Sequence, residues 1–191
     1  MNTPNKLTVL RIIMTPLFMA SLLIEFPHHY LVALILFAAA SITDFIDGNM
    51  ARKYNLITDF GKFLDPLADK MLTTAAFLAF IELKIGHGIV WITFIVLIRE
   101  FLITSLRLIS SGKGKVIAAN MWGKCKTVSQ MVSIIYVLAS QYFLSVFAAG
   151  ESVTAICSVI TDTVLWISAV MTVISGVVYV KQNKDFIDPR K

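Results

Sequence analysis

Four carboxylates stand close together in a chain that is otherwise poor in charge: Asp44, Asp47, Asp65 and Asp69. The first two are three residues apart and the last two are four apart, so on helices each pair shares one face. A lone aspartate at a helix end is usually a cap or a solvated charge. Four in register are not accounted for that way, because like charges gathered near a membrane are costly unless cations neutralise them. Hard oxygen ligands of this kind favour Mg²⁺ or Mn²⁺, and four carboxylates suit two ions.

Small and basic residues accompany the acids. Gly48 and Ala51 fall on or near the face of Asp44 and Asp47, where they leave room for a ligand to approach the backbone. The same two residues also suit close helix packing, and both readings stand. Arg52 can reach a phosphate, and Gly61, four residues before Asp65, offers space from the loop side. Pro66 fits the first turn of a new helix, where its missing N–H is harmless.

The elements that must position these residues are membrane helices. Of 191 residues, 57% are hydrophobic and 15% charged, whereas a soluble domain is roughly 45 to 50% apolar. At about 20 residues per span, the chain has room for six spans with short connections and for no separate soluble domain. The expected fold is therefore an all-α integral membrane protein, one domain over residues 1–191, with a short polar segment at 1–6 and a charged tail at 181–191. The six apolar runs are 7–25, with Pro16 in its middle, then 31–52, 63–83, 89–109, 125–149 and 154–180, and residues 110–115 read as a loop. A signal peptide is not indicated, because basic residues are few near the start, no small-residue cleavage site follows the first run, and five more runs come after it.

Charge orients the bundle. The 17 Lys and Arg against 12 Asp and Glu give a net charge of +5. Nearly all the basic residues fall in the N-terminal segment, the 52–62 loop, the 107–126 loop and the tail, whereas the three opposite turns hold Lys84 alone. Both termini are thus expected in the cytoplasm, and the basic excess reads as topology and lipid contact rather than nucleic-acid binding. Cys125 and Cys157 lack the spacing of a metal or redox motif. His28, His29 and His87 fall on the side away from the acids and read as turn or interface residues.

Taken together, Asp44, Asp47, Gly48, Ala51, Arg52, Gly61, Asp65 and Asp69 resemble the signature of the CDP-alcohol phosphotransferases at every position. That family is similarly small, with six membrane helices and a site on the cytoplasmic side. The resemblance implies that Asp44 and Asp65 bridge two metal ions, that Asp47 holds the first, and that Asp69 binds the second and accepts the proton. It further implies CDP contacts from Gly48, Arg52, Thr58 and Gly61, and from Asn5 and Thr8, where Asn5, Lys6, Leu7, Thr8 is similar to the family's Asn-x-x-Thr. It also implies a homodimer in a bacterial cytoplasmic membrane. An alcohol would attack the phosphorus that carries diacylglycerol in CDP-diacylglycerol, with CMP leaving; the alcohol is a poor nucleophile, hence the need for a carboxylate base.

The acceptor is sought in the second basic region. Arg99 and Glu100 lie inside the fourth span and are expected to pair locally. Arg107, with Lys124 and Lys126, could hold a phosphate on the acceptor, although the lysines also suit anionic lipid contact. The run Arg99, Glu100, Phe101, with Leu106, Arg107, Leu108 and then Val116 to Ala119 and Gly123 to Thr127, looks like the bacterial phosphatidylglycerophosphate synthase branch, which implies sn-glycerol 3-phosphate. Inositol phosphate and serine are the alternative acceptors. A metal-ion transporter is disfavoured, since its acids belong near the bilayer midplane, often in two related halves. A purely structural subunit leaves the four acids without a purpose.

Overall fold

The computed structural model describes residues 2–53, 59–112, 120–147 and 150–184. Among these residues the fold is wholly helical: α1 Thr3–Leu23, α2 His29–Lys53, α3 Asp59–Glu82, α4 Ile89–Gly112, α5 Met121–Phe147 and α6 Glu151–Gln182. All six expected helices are present. Four of them, α1, α4, α5 and α6, are long and apolar enough to cross a membrane unaided. In α2 the apolar stretch covers only His29–Asp44, because the acids begin there.

Several helix ends differ from expectation. Helix α1 starts within the polar segment, at Thr3, with Pro4 tolerated in its first turn. Helix α4 runs through Ser110 and Ser111 to Gly112, which composition marked as loop. Pro66 lies well inside α3, whose start is at Asp59, so it does not open the helix and deprives the Lys62 carbonyl of its usual donor.

The helices pack in a closed ring. Helix α1 lies against α2 and α3, α3 against α4, α4 against α6, α6 against α5, and α5 against α2. Helices α2 and α3, which carry the acids, touch each other only slightly among the described residues; α1 packs against both. The apolar core joins Phe18 and Leu22 of α1, Phe37 of α2, Phe77 and Phe80 of α3, and Ile134 and Leu138 of α5. Ala33, Ala40, Ala68, Ala76 and Ala79 are fully enclosed, as close helix approach in a membrane requires. Helix α6 instead buries a polar stripe, Thr161, Ser168, Thr172 and Ser175. Its hydroxyls are satisfied within the bundle: Ser168 and Thr172 bond carbonyls of their own helix, and Gln130 of α5 donates to Thr172 at 3.2 Å.

The turn between α3 and α4 is closely specified. The Ile85 N–H donates to the Phe80 carbonyl and the Lys84 N–H to that of Ile81, with Lys84 left-handed at φ 54°; this is a Schellman stop. Beyond it, the His87 N–H donates to Asp162 Oδ1 at 2.6 Å and Trp166 Nε1 donates to the His87 carbonyl at 3.2 Å. Both partners lie on α6.

Candidate active site

The acid-bearing end of α2 grows out of its buried face. Ala33, Phe37 and Ala40 are enclosed, and the same helical spacing continues through Asp44 to position 47. Ser41 and Thr43 return their hydroxyls to carbonyls of the preceding turn, at 2.8 and 2.7 Å, so the last apolar turn leaves neither hydroxyl unsatisfied. The Asp44 side chain is 40% exposed, and its Oδ1 lies 2.5 Å from Nη1 of Arg11. Arg11 is 1% exposed.

Arg11 belongs to a polar stripe of α1. Asn5, Thr8, Arg11 and Thr15 recur at helical spacing and all are buried. Thr8 donates to the Pro4 carbonyl at 3.2 Å and Thr15 to that of Arg11 at 2.9 Å. Asn5 and Thr8, expected at the nucleotide, therefore occupy the same inward face that delivers Arg11 to Asp44. On α3 the buried face is Gly61, Leu64, Ala68 and Leu72; positions 65 and 69 stand beside it in register, one residue on from Leu64 and Ala68. Asp47, Gly48, Arg52, Asp65 and Asp69 are helical in backbone, and their side chains, like Thr58 altogether, lie outside the described residues. Among the described residues no group of three His, Cys, Asp or Glu converges; of the four aspartates only the Asp44 side chain is among them.

A second charged centre joins α4, α5 and α6. Glu100 Oε1 accepts from Arg99 Nη1 at 2.8 Å and from Lys126 Nζ at 2.6 Å, and Arg99 Nη2 donates to Ser175 at 2.8 Å. The three charged side chains are 12, 14 and 7% exposed for Arg99, Glu100 and Lys126. Arg99 is accommodated by two glycines: a Cβ on Gly123 would stand 3.7 Å from its Nη2, and one on Gly176 3.4 Å from its Cγ. The expected local pairing of Arg99 with Glu100 is present, and the reach of Glu100 to Lys126 was not anticipated.

The expected acceptor cations are dispersed. Lys126 is buried against Glu100, whereas Lys124 is exposed on the rim of a hollow of about 590 Å³ lined mainly by apolar side chains of α5 and α6, among them Val128, Val132 and Ile167. Two residues along a helix is a rotation of about 200°, so the two lysines face apart. Arg107 Nε donates to the Tyr179 hydroxyl at 3.1 Å, with the guanidinium over the ring at 5.7 Å. Asn120 caps α5 by accepting from the Gly123 N–H at 2.8 Å and donates to Gln182 at 3.2 Å. Tyr179 and Gln182 extend the polar stripe of α6 to its end.

Arg11 is the residue that sequence reasoning passed over. Its signal was present: a lone cation inside an apolar helix must find a partner, and it shares a face with Asn5 and Thr8.

Comparison with known proteins follows the same outline. A family model described as CDP-alcohol phosphatidyltransferase matches residues 1–175. The chain is 38% identical to the CDP-diacylglycerol--glycerol-3-phosphate 3-phosphatidyltransferase of Bacillus subtilis (strain 168), over 95% of both chains. It is 35% identical to the protein of that name in Rickettsia bellii (strain RML369-C), over 97% of both. A probable phosphatidylglycerophosphate synthase of Mycobacterium tuberculosis (strain ATCC 25618 / H37Rv) is 39% identical over 94% of this chain and 80% of its own.

Proposed function

The chain belongs to the CDP-alcohol phosphatidyltransferase family, and from that premise we propose that it transfers the phosphatidyl group of CDP-diacylglycerol to sn-glycerol 3-phosphate, releasing CMP. The observation that carries this reading is its likeness, over 95% of both chains, to an enzyme named for that acceptor. It is a multi-pass membrane enzyme, and its site is assigned to the cytoplasmic face of the cytoplasmic membrane, where the basic loops gather. One domain over residues 1–191 and a homodimer complete the proposal.

Divalent-metal dependence accompanies the family, and the donor set fits it: aspartates at positions 44, 47, 65 and 69 provide only hard oxygens. Two ions, Mg²⁺ or Mn²⁺, would be held there by Asp44, Asp47, Asp65 and Asp69. Such ions supply Lewis-acid stabilisation of charge on the diphosphate and on departing CMP.

The chain's own groups do the rest. Asn5, Thr8, Gly48, Arg52, Thr58 and Gly61 hold the CDP portion. Asp69 takes the proton from the acceptor hydroxyl as its oxygen bonds to the phosphorus bearing diacylglycerol, and the bond from that phosphorus to the CMP oxygen breaks. Of the cations expected at the acceptor's phosphate, Lys126 is held by Glu100 and Lys124 is turned away from it, so the role is assigned to Arg107, near the end of α4. A neutral acceptor has no use for such a cation, which favours glycerol 3-phosphate over serine.

The test is CMP release by the detergent-purified protein with CDP-diacylglycerol, Mg²⁺ or Mn²⁺, and glycerol 3-phosphate, inositol phosphate or serine in parallel. Turnover with glycerol 3-phosphate is expected. Silence with every acceptor overturns the enzyme reading, and preference for another acceptor overturns the substrate assignment.

A further inference from the structure

A fully enclosed arginine in an apolar helix needs a reason. Arg11 is 1% exposed and sits among side chains whose membrane setting makes a charge costly. A buried ion pair is not by itself a stabilising choice, since apolar residues of similar volume often serve as well. The partner here is no ordinary carboxylate either: Asp44 continues the inward face of α2 and is one of four like charges. Burial is divided unevenly between them, the arginine sealed and the aspartate 40% open.

That asymmetry assigns the arginine to the acid's service. We propose that Arg11 is a positioning residue for Asp44: from α1 it grips Oδ1 and fixes the carboxylate's orientation, leaving the open side of Asp44 to receive a divalent cation. This rests on the metal reading above. Arginine suits the task better than lysine, because its charge is permanent and its planar fork sets direction as well as attraction. Its place on α1 matters too. The helix packs against both α2 and α3, so one rigid element supports the carboxylate and carries Asn5 and Thr8.

The experiment is Mn²⁺ binding to the full-length, detergent-purified protein without substrate, read by the electron paramagnetic resonance signal of free Mn²⁺, on Arg11→Gln, Arg11→Lys, Asp44→Asn and, as a control on the same helix, Ser21→Ala. Both Arg11 variants are expected to weaken Mn²⁺ binding about tenfold or more, the range typical when the partner of a metal-bound carboxylate is lost, while Ser21→Ala binds normally. Equal or tighter binding by Arg11→Gln overturns the proposal, because then the arginine only repels the ion. Should Arg11→Gln fail to fold, Arg11→Lys decides: normal Mn²⁺ affinity at normal thermal stability overturns the proposal, and weakened affinity at normal stability supports it. Weakened CDP-diacylglycerol binding with unchanged Mn²⁺ affinity would move Arg11 to the lipid's phosphates, against the proposal. Asp44→Asn separates the two levels: unchanged Mn²⁺ binding there removes the metal reading at Asp44 itself, and the proposal with it.

Discussion

Among the described residues, two charge clusters are built on opposite plans. Between α1 and α2 a sealed cation serves a half-open acid, Arg11 at 1% and Asp44 at 40% exposure. Between α4, α5 and α6 a carboxylate is enclosed by the two cations it holds, Arg99 and Lys126. In the first the acid is the open partner and the arginine the sealed one. In the second the acid is the enclosed partner, holding two basic side chains of α4 and α5 beside α6. The same residue types thus leave an acid open in one place and enclose it in the other, and under the proposed function the open acid works while the enclosed one supports.

Breaking the proposed catalytic site to which Asp44 belongs should be felt in rate. Asp69→Asn removes the proposed base and is expected to lower turnover about 10² to 10⁴-fold while CDP-diacylglycerol binding persists; single-turnover CMP release and a lipid-binding assay read the two separately. A near-normal rate would take Asp69 out of that role.

Breaking the enclosed cluster should be felt in stability instead. Glu100→Gln leaves Arg99 and Lys126 without their carboxylate and is expected to cost about 3 to 5 kcal/mol, measured by thermal or denaturant unfolding in detergent. Asp44→Asn, at a site open to water, should cost far less stability. If both lose stability equally, exposure is the wrong criterion.

The boundary between the plans is sharpened by Arg107. Arg107→Ala is expected to raise the KM for glycerol 3-phosphate about tenfold, the value of one hydrogen bond to a charged group, with a smaller change for CDP-diacylglycerol. Equal changes in both would argue against phosphate capture. The smallest effect belongs outside both clusters. Gly86 has φ +91°, and a Cβ there would meet Leu165 Cδ1 at 2.5 Å; Gly86→Ala should cost about 1 to 2 kcal/mol of stability and leave kcat unchanged.

What sequence reasoning could reach depended on periodicity and on how rare charge is in this chain. The six helices follow from apolar runs, and the acids stand out because so little else is charged. Helix ends were less legible, since Thr3 to Lys6 and Ser110 to Gly112 are polar yet helical: composition marks where a chain leaves the apolar phase, not where its hydrogen bonding stops. Partners across helices were least legible. Arg11 announces a need for an acid without saying that α2 supplies it, and Glu100 was matched to its neighbour Arg99 but not to Lys126. Lys124 and Lys126 were grouped by proximity in sequence, although helical rotation sets them apart.

The clamp on the α3–α4 turn bears on how the bundle closes. The His87 amide finds its acceptor in Asp162 and the His87 carbonyl its donor in Trp166, both on α6, 75 and 79 residues further along the chain. Among the described residues, α6 is also the helix that joins α4 to α5 in the ring. Closure therefore waits on α6: until it packs, the turn lacks its fastening and the ring stays open, so a chain whose α2 and α3 have already formed is still not an enclosed bundle.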